Sequence, residues 1–261
     1  MEFTFSLGQM DIQFGDSAVN FETITRMVYE AKRRGSDLIL FPELWSTGYD
    51  LSQASSHASS LDSGLFTDIS ALARRAGIHI LGSTLSLLGE KKYGNTLTVF
   101  APDGSLLADY SKIHLFRLMD EHQYLNAGDK ITTVDLPFGR AGLAICYDLR
   151  FPELFRAHAL AGAQMTFLPS EWPHPRLMHW QTLIRARAIE NQMFIFACNR
   201  VGSDADNKYF GHSMAVDPWG EILVEGGEDE EVITLSVDLS KVQEARKTIP
   251  VLQDRRPDVY Q

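Results

Sequence analysis

One pattern is written twice in this chain. Gly35-Ser-Asp-Leu-Ile-Leu-Phe-Pro-Glu43 and Gly162-Ala-Gln-Met-Thr-Phe-Leu-Pro-Ser170 each run from a glycine through an apolar stretch to a proline. A short apolar run between turn residues reads as a buried strand. Proline stops it, because it has no N–H to give to a ladder. The surroundings of the two runs repeat as well. Ahead of Glu43 the pattern predicts a strand over Phe3 to Met10 and a helix over Val19 to Arg34. After it come a Ser- and Gly-rich loop over 46–63, a helix over Leu65 to Ala76, a strand over Ile78 to Leu85, and a hairpin of Asn95 to Ala101 with Ser105 to Ser111. The second copy predicts a strand over Ala141 to Ile145, a helix over Pro152 to Ala161 and a strand over Gln164 to Leu168. A helix over Leu177 to Asn191, a strand over Met193 to Cys198 and a hairpin of His212 to Val216 with Glu221 to Glu225 complete it. A strand over Glu231 to Leu239 and a helix running through Glu244 follow.

Recurrence of one αβ unit is an internal duplication. Two sheets, each with helices on one face, bury most area by packing sheet on sheet. The expected fold is therefore α/β, a four-layer α-β-β-α sandwich built from two pseudo-repeated halves. No linker-like stretch divides the chain, so residues 1–261 are expected to form a single domain. Turn chemistry agrees. Gly77 closes one helix, Pro102-Asp103-Gly104 and Asp217-Pro218-Trp219-Gly220 turn the hairpins, and Gly139 and Gly142 suit a close approach to the strand that follows.

Totals exclude several classes of partner. A net charge of −10 argues against a nucleic-acid binder, which would show a basic face. No apolar run approaches the length of a membrane span, and Met-Glu-Phe-Thr-Phe has no basic region before an apolar stretch. Two cysteines, Cys146 and Cys198, make no disulfide framework. The expected setting is the reducing cytoplasm, where a thiolate is chemically available.

Three element ends carry reactive side chains. Glu43 follows the proline that stops its strand. Lys112 comes just after the first hairpin. Cys146 ends the strand over Ala141 to Ile145, ahead of Pro152, which suits the first turn of a helix. Strand ends facing a helix are where α/β folds present side chains to ligands. Peptide N–H groups and a helix start near Cys146 are expected to favour its thiolate. A buried structural cysteine is the alternative for that segment, and a surface ion pair the alternative for Glu43 with Lys112. Cys198, in an apolar strand, reads as core. The histidines, among them His174, His179, His114 and His122, lack the grouping a zinc site needs, so no metal is expected.

The order Phe-Pro-Glu43, Lys112-Ile-His, Cys146-Tyr-Asp-Leu-Arg-Phe-Pro-Glu resembles the nitrilase superfamily of carbon–nitrogen hydrolases. The likeness extends to the strand reaching Gln9, the helix with Arg187-Ala-Ile-Glu-Asn191 and the tail Arg256-Pro-Asp-Val-Tyr260. The resemblance implies the same sandwich and a Glu–Lys–Cys triad, here Glu43, Lys112 and Cys146. It implies a second glutamate after the lysine, for which Glu121 is the match and a surface acid beside Asp120 the alternative. In that scheme Cys146 attacks an amide carbonyl while Glu43 takes the thiol proton. Lys112 and the backbone N–H of Tyr147 hold the oxyanion, and Glu121 orients Lys112. No cofactor is implied, the substrate is a small amide, and a homodimer is expected by analogy.

Within the superfamily the chain is most similar to the ω-amidase-like branch, which deamidates dicarboxylate monoamides such as 2-oxoglutaramate. An N-carbamoyl amino acid hydrolase, or an acyltransferase using the same thioester, is the alternative. A non-catalytic scaffold would have no need of the triad. A charged substrate tail needs a cation, and Arg117 or Arg150 is expected to supply it. Arg150 has the alternative of an ion pair with Glu153 or Asp148. Trp172, just after the second proline-stopped strand, either walls the pocket or fills core.

Overall fold

A computed structural model describes residues 2–260. The first half holds β1 (Glu2–Gln9), α1 (Ser17–Arg33), β2 (Leu38–Leu40), α2 (Ala54–His57), α3 (Gly64–Ala76), β3 (His79–Gly89), β4 (Lys92–Phe100) and β5 (Leu106–Ser111). A connecting stretch carries α4 (Glu121–Tyr124). The second half holds β6 (Thr133–Leu136), β7 (Gly139–Leu143), α5 (Pro152–Leu160), β8 (Met165–Ser170), α6 (Leu177–Asn191), β9 (Phe194–Asn199), β10 (Val201–Ser203), β11 (Lys208–Phe210), β12 (Met214–Val216) and β13 (Ile222–Glu225). The last elements are β14 (Glu231–Asp238) and α7 (Ser240–Thr248).

The duplication is carried in the strand order. One sheet runs β14-β1-β2-β3-β4-β5 and the other β13-β12-β9-β8-β7-β6. In each, three parallel strands (β1-β2-β3, β7-β8-β9) are followed by an antiparallel hairpin and flanked on the other side by one antiparallel strand. The sheets face each other through aromatic rings. Phe3 stacks on Phe138 at 4.2 Å, and Phe5 meets Phe196 at 4.2 Å. Strand period two does the sorting. On β2 and just beyond, Leu38 and Leu40 enter the core between the sheets, while Ile39 and Phe41 pack under α1 and α3. On α1 the buried stripe is Ile24, Met27, Val28 and Ala31, the 3.6-residue spacing of one helix face. Asp16 caps that helix by accepting from the Val19 N–H at 3.1 Å, and Gly77 ends α3 at φ +67°. The result is the α-β-β-α sandwich.

Several local expectations shift. The loop over 46–63 contains a 3₁₀ turn (Leu51–Gln53) and α2, because Leu51 and Ala54 pack on Leu44, Leu85 and Leu125. β8 runs through Pro169 rather than stopping at it. Residues 167 and 169 turn their backbone groups toward the β7 side, and β7 ends opposite Phe167, so the missing N–H of Pro169 has no bond to lose. The strand expected up to Ile145 leaves its ladder at Leu143, and Cys146 opens a 3₁₀ turn, Cys146–Arg150. β6, whose alternation of Val134 and Leu136 inward with Asp135 outward spans only four residues, and the β10–β11 hairpin were not expected. Among the described residues no helix is long and apolar enough to cross a membrane.

Gly142 of β7 lies against α5, where an added Cβ would sit 2.4 Å from the His158 ring. That ring is fully buried. Its Nδ1 is 3.4 Å from Thr166 Oγ1 and its Nε2 has no partner. Burial pushes the imidazole down to about 4. The unfolded chain, with an ordinary histidine, binds more protons between pH 6.5 and this value, so stability from His158 is full above that window and lost as pH falls through it. The expected loss is about 3 kcal/mol for such a shift. Urea midpoints from neutral pH down to the low end of that window should therefore fall less steeply in His158→Leu than in the native chain. Parallel curves would mean the imidazole is not the group that titrates.

Candidate active site

Cys146, Glu43 and Lys112 converge at the ends of strands from both sheets. Glu43 stands three residues beyond the end of β2, with Leu44 after it at φ +43°. Lys112 follows β5, its N–H bonded to Asn95 O at 2.9 Å and its carbonyl to Gly128 N at 2.9 Å. Only glycine fits at that crossing, since a Cβ on Gly128 would lie 2.1 Å from Ser111 O. Cys146 has φ +45°, a left-handed conformation that non-glycine residues adopt only when their surroundings hold them there.

Asp148 is what holds it. Its fully buried Oδ2 accepts from the Ile145 N–H at 2.8 Å and from Tyr110 OH at 2.8 Å. Its Oδ1 lies 2.7 Å from His114 Nδ1 and accepts from the His114 N–H at 3.3 Å. One carboxylate thus fastens the turn carrying Cys146 to the segment carrying Lys112. The His114 ring also stacks on Phe151 at 3.6 Å.

The charged groups are packed without water contact. Lys112 Nζ donates to Glu43 Oε1 at 2.7 Å and to Glu121 Oε1 at 2.5 Å, with all three side chains fully buried. Asn95 Nδ2 donates to Glu43 Oε1 at 2.7 Å, and the Glu171 N–H to Glu43 Oε2 at 3.0 Å. Glu121 accepts from Tyr49 OH at 2.7 Å and from the Phe116 N–H at 2.8 Å. It is therefore an interior group and not the surface acid that its neighbour Asp120 suggests. An ammonium has three N–H donors, and the two carboxylates use two of them. The third is available to an oxyanion.

Two carboxylates around one ammonium leave the cluster short of positive charge. Burial opposes the charge of Lys112, but Glu121 and Glu43 outweigh it and hold the ammonium well above its usual range. Burial, with the charge of Glu43 opposing Lys112, raises Glu121. Burial and then Glu43 raise the Cys146 thiol well above the ordinary value, and a hydrogen bond to Glu43 adds to this. The thiolate expected from the neighbouring turn is thus overridden, because desolvation and a carboxylate outweigh the turn's few peptide dipoles. The resting arrangement is a thiol beside a base.

A cavity opens on Cys146, lined by Phe116, Tyr147, Arg150, Glu171, Trp172, Pro173 and Arg176. Tyr147 packs its ring between Phe116 and Phe151, and its peptide lies in the first turn after Cys146, where N–H groups have no acceptor within the turn. Trp172 serves both expected ends: its ring walls the cavity, and it is 5.6 Å from Trp180 in the core. Arg150 makes neither expected ion pair. Its guanidinium lies 4.8 Å from the Trp172 centroid and Nη2 is 3.4 Å from His179 Nδ1. Arg117 is exposed on the turn Arg117–Met119 and lines a neighbouring hollow with His114, Leu118 and Phe151, outside the Cys146 cavity. The second arginine at the cavity is Arg176, just before α6, with its guanidinium 5.8 Å from the Phe116 centroid. Sequence reading missed Arg176, Glu171 and Asn95. The run Ser170-Glu-Trp-Pro-His-Pro-Arg176 offered the one signal, charged residues just past a proline-stopped strand at the same end as Glu43. Among the described residues no group of three or more His, Cys, Asp or Glu side chains is arranged to hold a metal.

The chain is similar to known proteins. The sequence model of the carbon–nitrogen hydrolase family matches residues 4–247. The 2-oxoglutaramate amidase of Bacillus subtilis (strain 168) is 39% identical over 260 residues, covering 100% of both chains. A CN-hydrolase superfamily protein of Xanthomonas campestris, solved with an arsenic adduct in its active site, superposes with a TM-score of 0.91 at 32% identity over 98% of both chains. A mutant of the amidase from Nesterenkonia sp. AN1, with the acetamide moiety of fluoroacetamide on its active-site cysteine, superposes with a TM-score of 0.89 at 26% identity, covering 99% of this chain and 95% of that one.

The Asp148 clasp makes a testable demand. Asp148→Asn keeps the shape but turns an N–H₂ group toward donors, leaving at least one buried pair broken at about 1–3 kcal/mol. The thermal midpoint is expected to fall, and alkylation of Cys146 by iodoacetamide to change several-fold as the turn relaxes. Native alkylation kinetics in the folded variant would show that the φ +45° turn holds itself.

Proposed function

The chain belongs to the carbon–nitrogen hydrolase family, and from that premise we propose a cysteine-dependent ω-amidase that cleaves dicarboxylate monoamides such as 2-oxoglutaramate to the dicarboxylate and ammonia. The observation that carries the reading is the buried Glu43–Lys112–Glu121 cluster against Cys146, facing a cavity walled by two arginines. The names of relatives support it, among them the Bacillus subtilis enzyme and the mouse protein called omega-amidase NIT2, 33% identical over 269 residues.

In the proposed reaction Glu43 takes the Cys146 proton as sulfur attacks the amide carbon. The carbonyl oxygen becomes an oxyanion held by the third Lys112 donor and the Tyr147 peptide N–H. Glu43 then gives its proton to the departing nitrogen, ammonia leaves, and a Cys146 thioester remains. A water, deprotonated by Glu43, attacks the thioester, and the carboxylic acid leaves as the thiol regains its proton. Glu121 fixes Lys112 and does not meet the reacting atoms. The chain acts as one domain, since both sheets supply the site, and as a homodimer in the cytoplasm. Exposed Leu160, Ile189 and Tyr260 on the outer helical side support the dimer.

Glu43→Gln should stop the cycle before acylation, because an amide takes no thiol proton. Intact-mass spectra after mixing with substrate should show no thioester, and an accumulating acyl-enzyme would mean that Glu43 serves only deacylation. Cys146→Ala should lose turnover and keep its melt, whereas a collapsed melt would make the cysteine structural.

Substrate choice gives a sharper expectation. Arg150 and Arg176 are the cations for the remote carboxylate, and its binding orients the amide at Cys146. Succinamate or 2-oxoglutaramate should exceed an uncharged amide of similar length by at least about a hundredfold in kcat/KM, roughly 2.7 kcal/mol. Arg176→Ala should remove most of that gap and Arg117→Ala little of it. Equal kcat/KM values for charged and neutral amides in the native enzyme would falsify the ω-amidase reading.

A further inference from the structure

Glu171 is the one cavity-lining carboxyl for which the proposed mechanism finds no use. It follows β8 directly and is almost wholly buried. Its N–H holds Glu43 Oε2 at 3.0 Å, and its own Oε2 accepts from Arg200 Nη1 at 2.9 Å. Its Oε1 is buried and has no partner among the described residues. Arg200 is not Glu171's alone. Its Nη2 also donates to Ile12 O at 2.8 Å and reaches Asp11 Oδ1 at 3.4 Å, and its guanidinium lies 4.2 Å from the Tyr209 centroid. A second negative charge at Glu171 would face Glu43 through one peptide link and share an already shared cation. The same charge would line the cavity that Arg150 and Arg176 offer to an anion.

We propose that Glu171 is a specificity-determining residue: with a proton on its carboxyl it admits an anionic substrate to the cavity beside Cys146, and without that proton it repels one. This rests on the ω-amidase reading for the charge of the substrate. Burial, with the charge of Glu43 opposing Arg200, pushes the Glu171 carboxyl up to about 8. Several charged groups around it carry shifts of their own. From the β9–β10 connection, Arg200 is held protonated by Glu171 against its burial, and from β11, Tyr209 is pushed up by burial. From the hairpin, Asp204 is held below its usual range because hydrogen bonds from Tyr209, Asp206 and Asn207 outweigh burial. Behind Glu43, Lys112 stays an ammonium, and Cys146 stays a thiol. From the loop before α2, Tyr49 is pushed well above its usual range by burial, and Asp11, Glu121, Arg150 and Arg176 complete the surroundings, with His179 touching Arg150 from outside the cavity lining.

The test uses glutarate, a dicarboxylate with no amide, and reads how well it protects Cys146 from iodoacetamide. Measured about one pH unit either side of the Glu171 midpoint, the protection constant of the native chain should weaken about tenfold on the alkaline side, the order expected for one like charge a few ångströms away. Glu171→Gln keeps the backbone N–H and cannot ionise, so its constant should change less than about twofold. In parallel, KM for an uncharged amide should stay level in both proteins. A native constant that is flat with pH overturns the proposal, and so does an equal weakening in E171Q. Should E171Q not fold, infrared spectra of the native chain read the same proton: a carboxylic-acid C=O band lost across this pH range supports the proposal, and no such band overturns it. Glutarate needs no turnover. A chain that cleaves no dicarboxylate monoamide but shows the gated protection loses the ω-amidase reading and keeps this one.

Discussion

An ammonium buried between two carboxylates is the interaction on which the rest of the molecule depends. Removing three charges from water is expensive, and the Coulomb attraction among them repays it only when the remaining carboxylate lone pairs are met. Here Asn95, Tyr49, and the peptides of Phe116 and Glu171 meet them. Those partners come from four separated stretches of chain. The cluster therefore forms only when both halves of the sandwich are assembled, which ties chemical competence to the completed fold.

The same cluster explains why Cys146 rests as a thiol. A net negative charge beside it, without solvent, costs the thiolate more than the local peptide dipoles return. In the proposed reaction, proton transfer to Glu43 is then an internal rearrangement, with Lys112 fixed beside the acceptor oxygen. The strained Cys146 backbone aims sulfur at that arrangement, and Asp148 fastens it.

Much of this was legible in the sequence because it lies where patterns change. Glu43 and Cys146 each sit at the end of an apolar run, the first marked by Pro42, and Lys112 comes just past a hairpin strand. The layers follow from period two on the strands and period 3.6 on α1. What was not legible is set by contacts distant in sequence. Asp148 reads as one acid in a turn, and nothing local says that it reaches Tyr110 and His114. Arg200 sits between two strands and looks like a surface charge, yet it is fully buried against Glu171. Arg117, in the loop between Lys112 and Glu121, was a reasonable reading by proximity. The turn that contains it lines a neighbouring hollow, and Arg176, some sixty residues further along, lines the Cys146 cavity. The thiolate expectation failed because burial of a whole cluster is invisible from one segment.

The pairing of β14 with β1 has a consequence for how the chain is made. β1 leaves the ribosome long before β14, and its outer edge finds its partner only when residues 231–238 emerge. Until then an apolar strand with unpaired N–H and C=O groups lies open to other chains. The sheet that carries Cys146 has no such wait, because its six strands are contiguous between residues 133 and 225. Synthesis thus delivers the nucleophile's sheet as a unit while the sheet of Glu43 and Lys112 still lacks an edge. Truncation within β14 would leave a nascent product prone to aggregation, with Cys146 already in place and Glu43 unsecured.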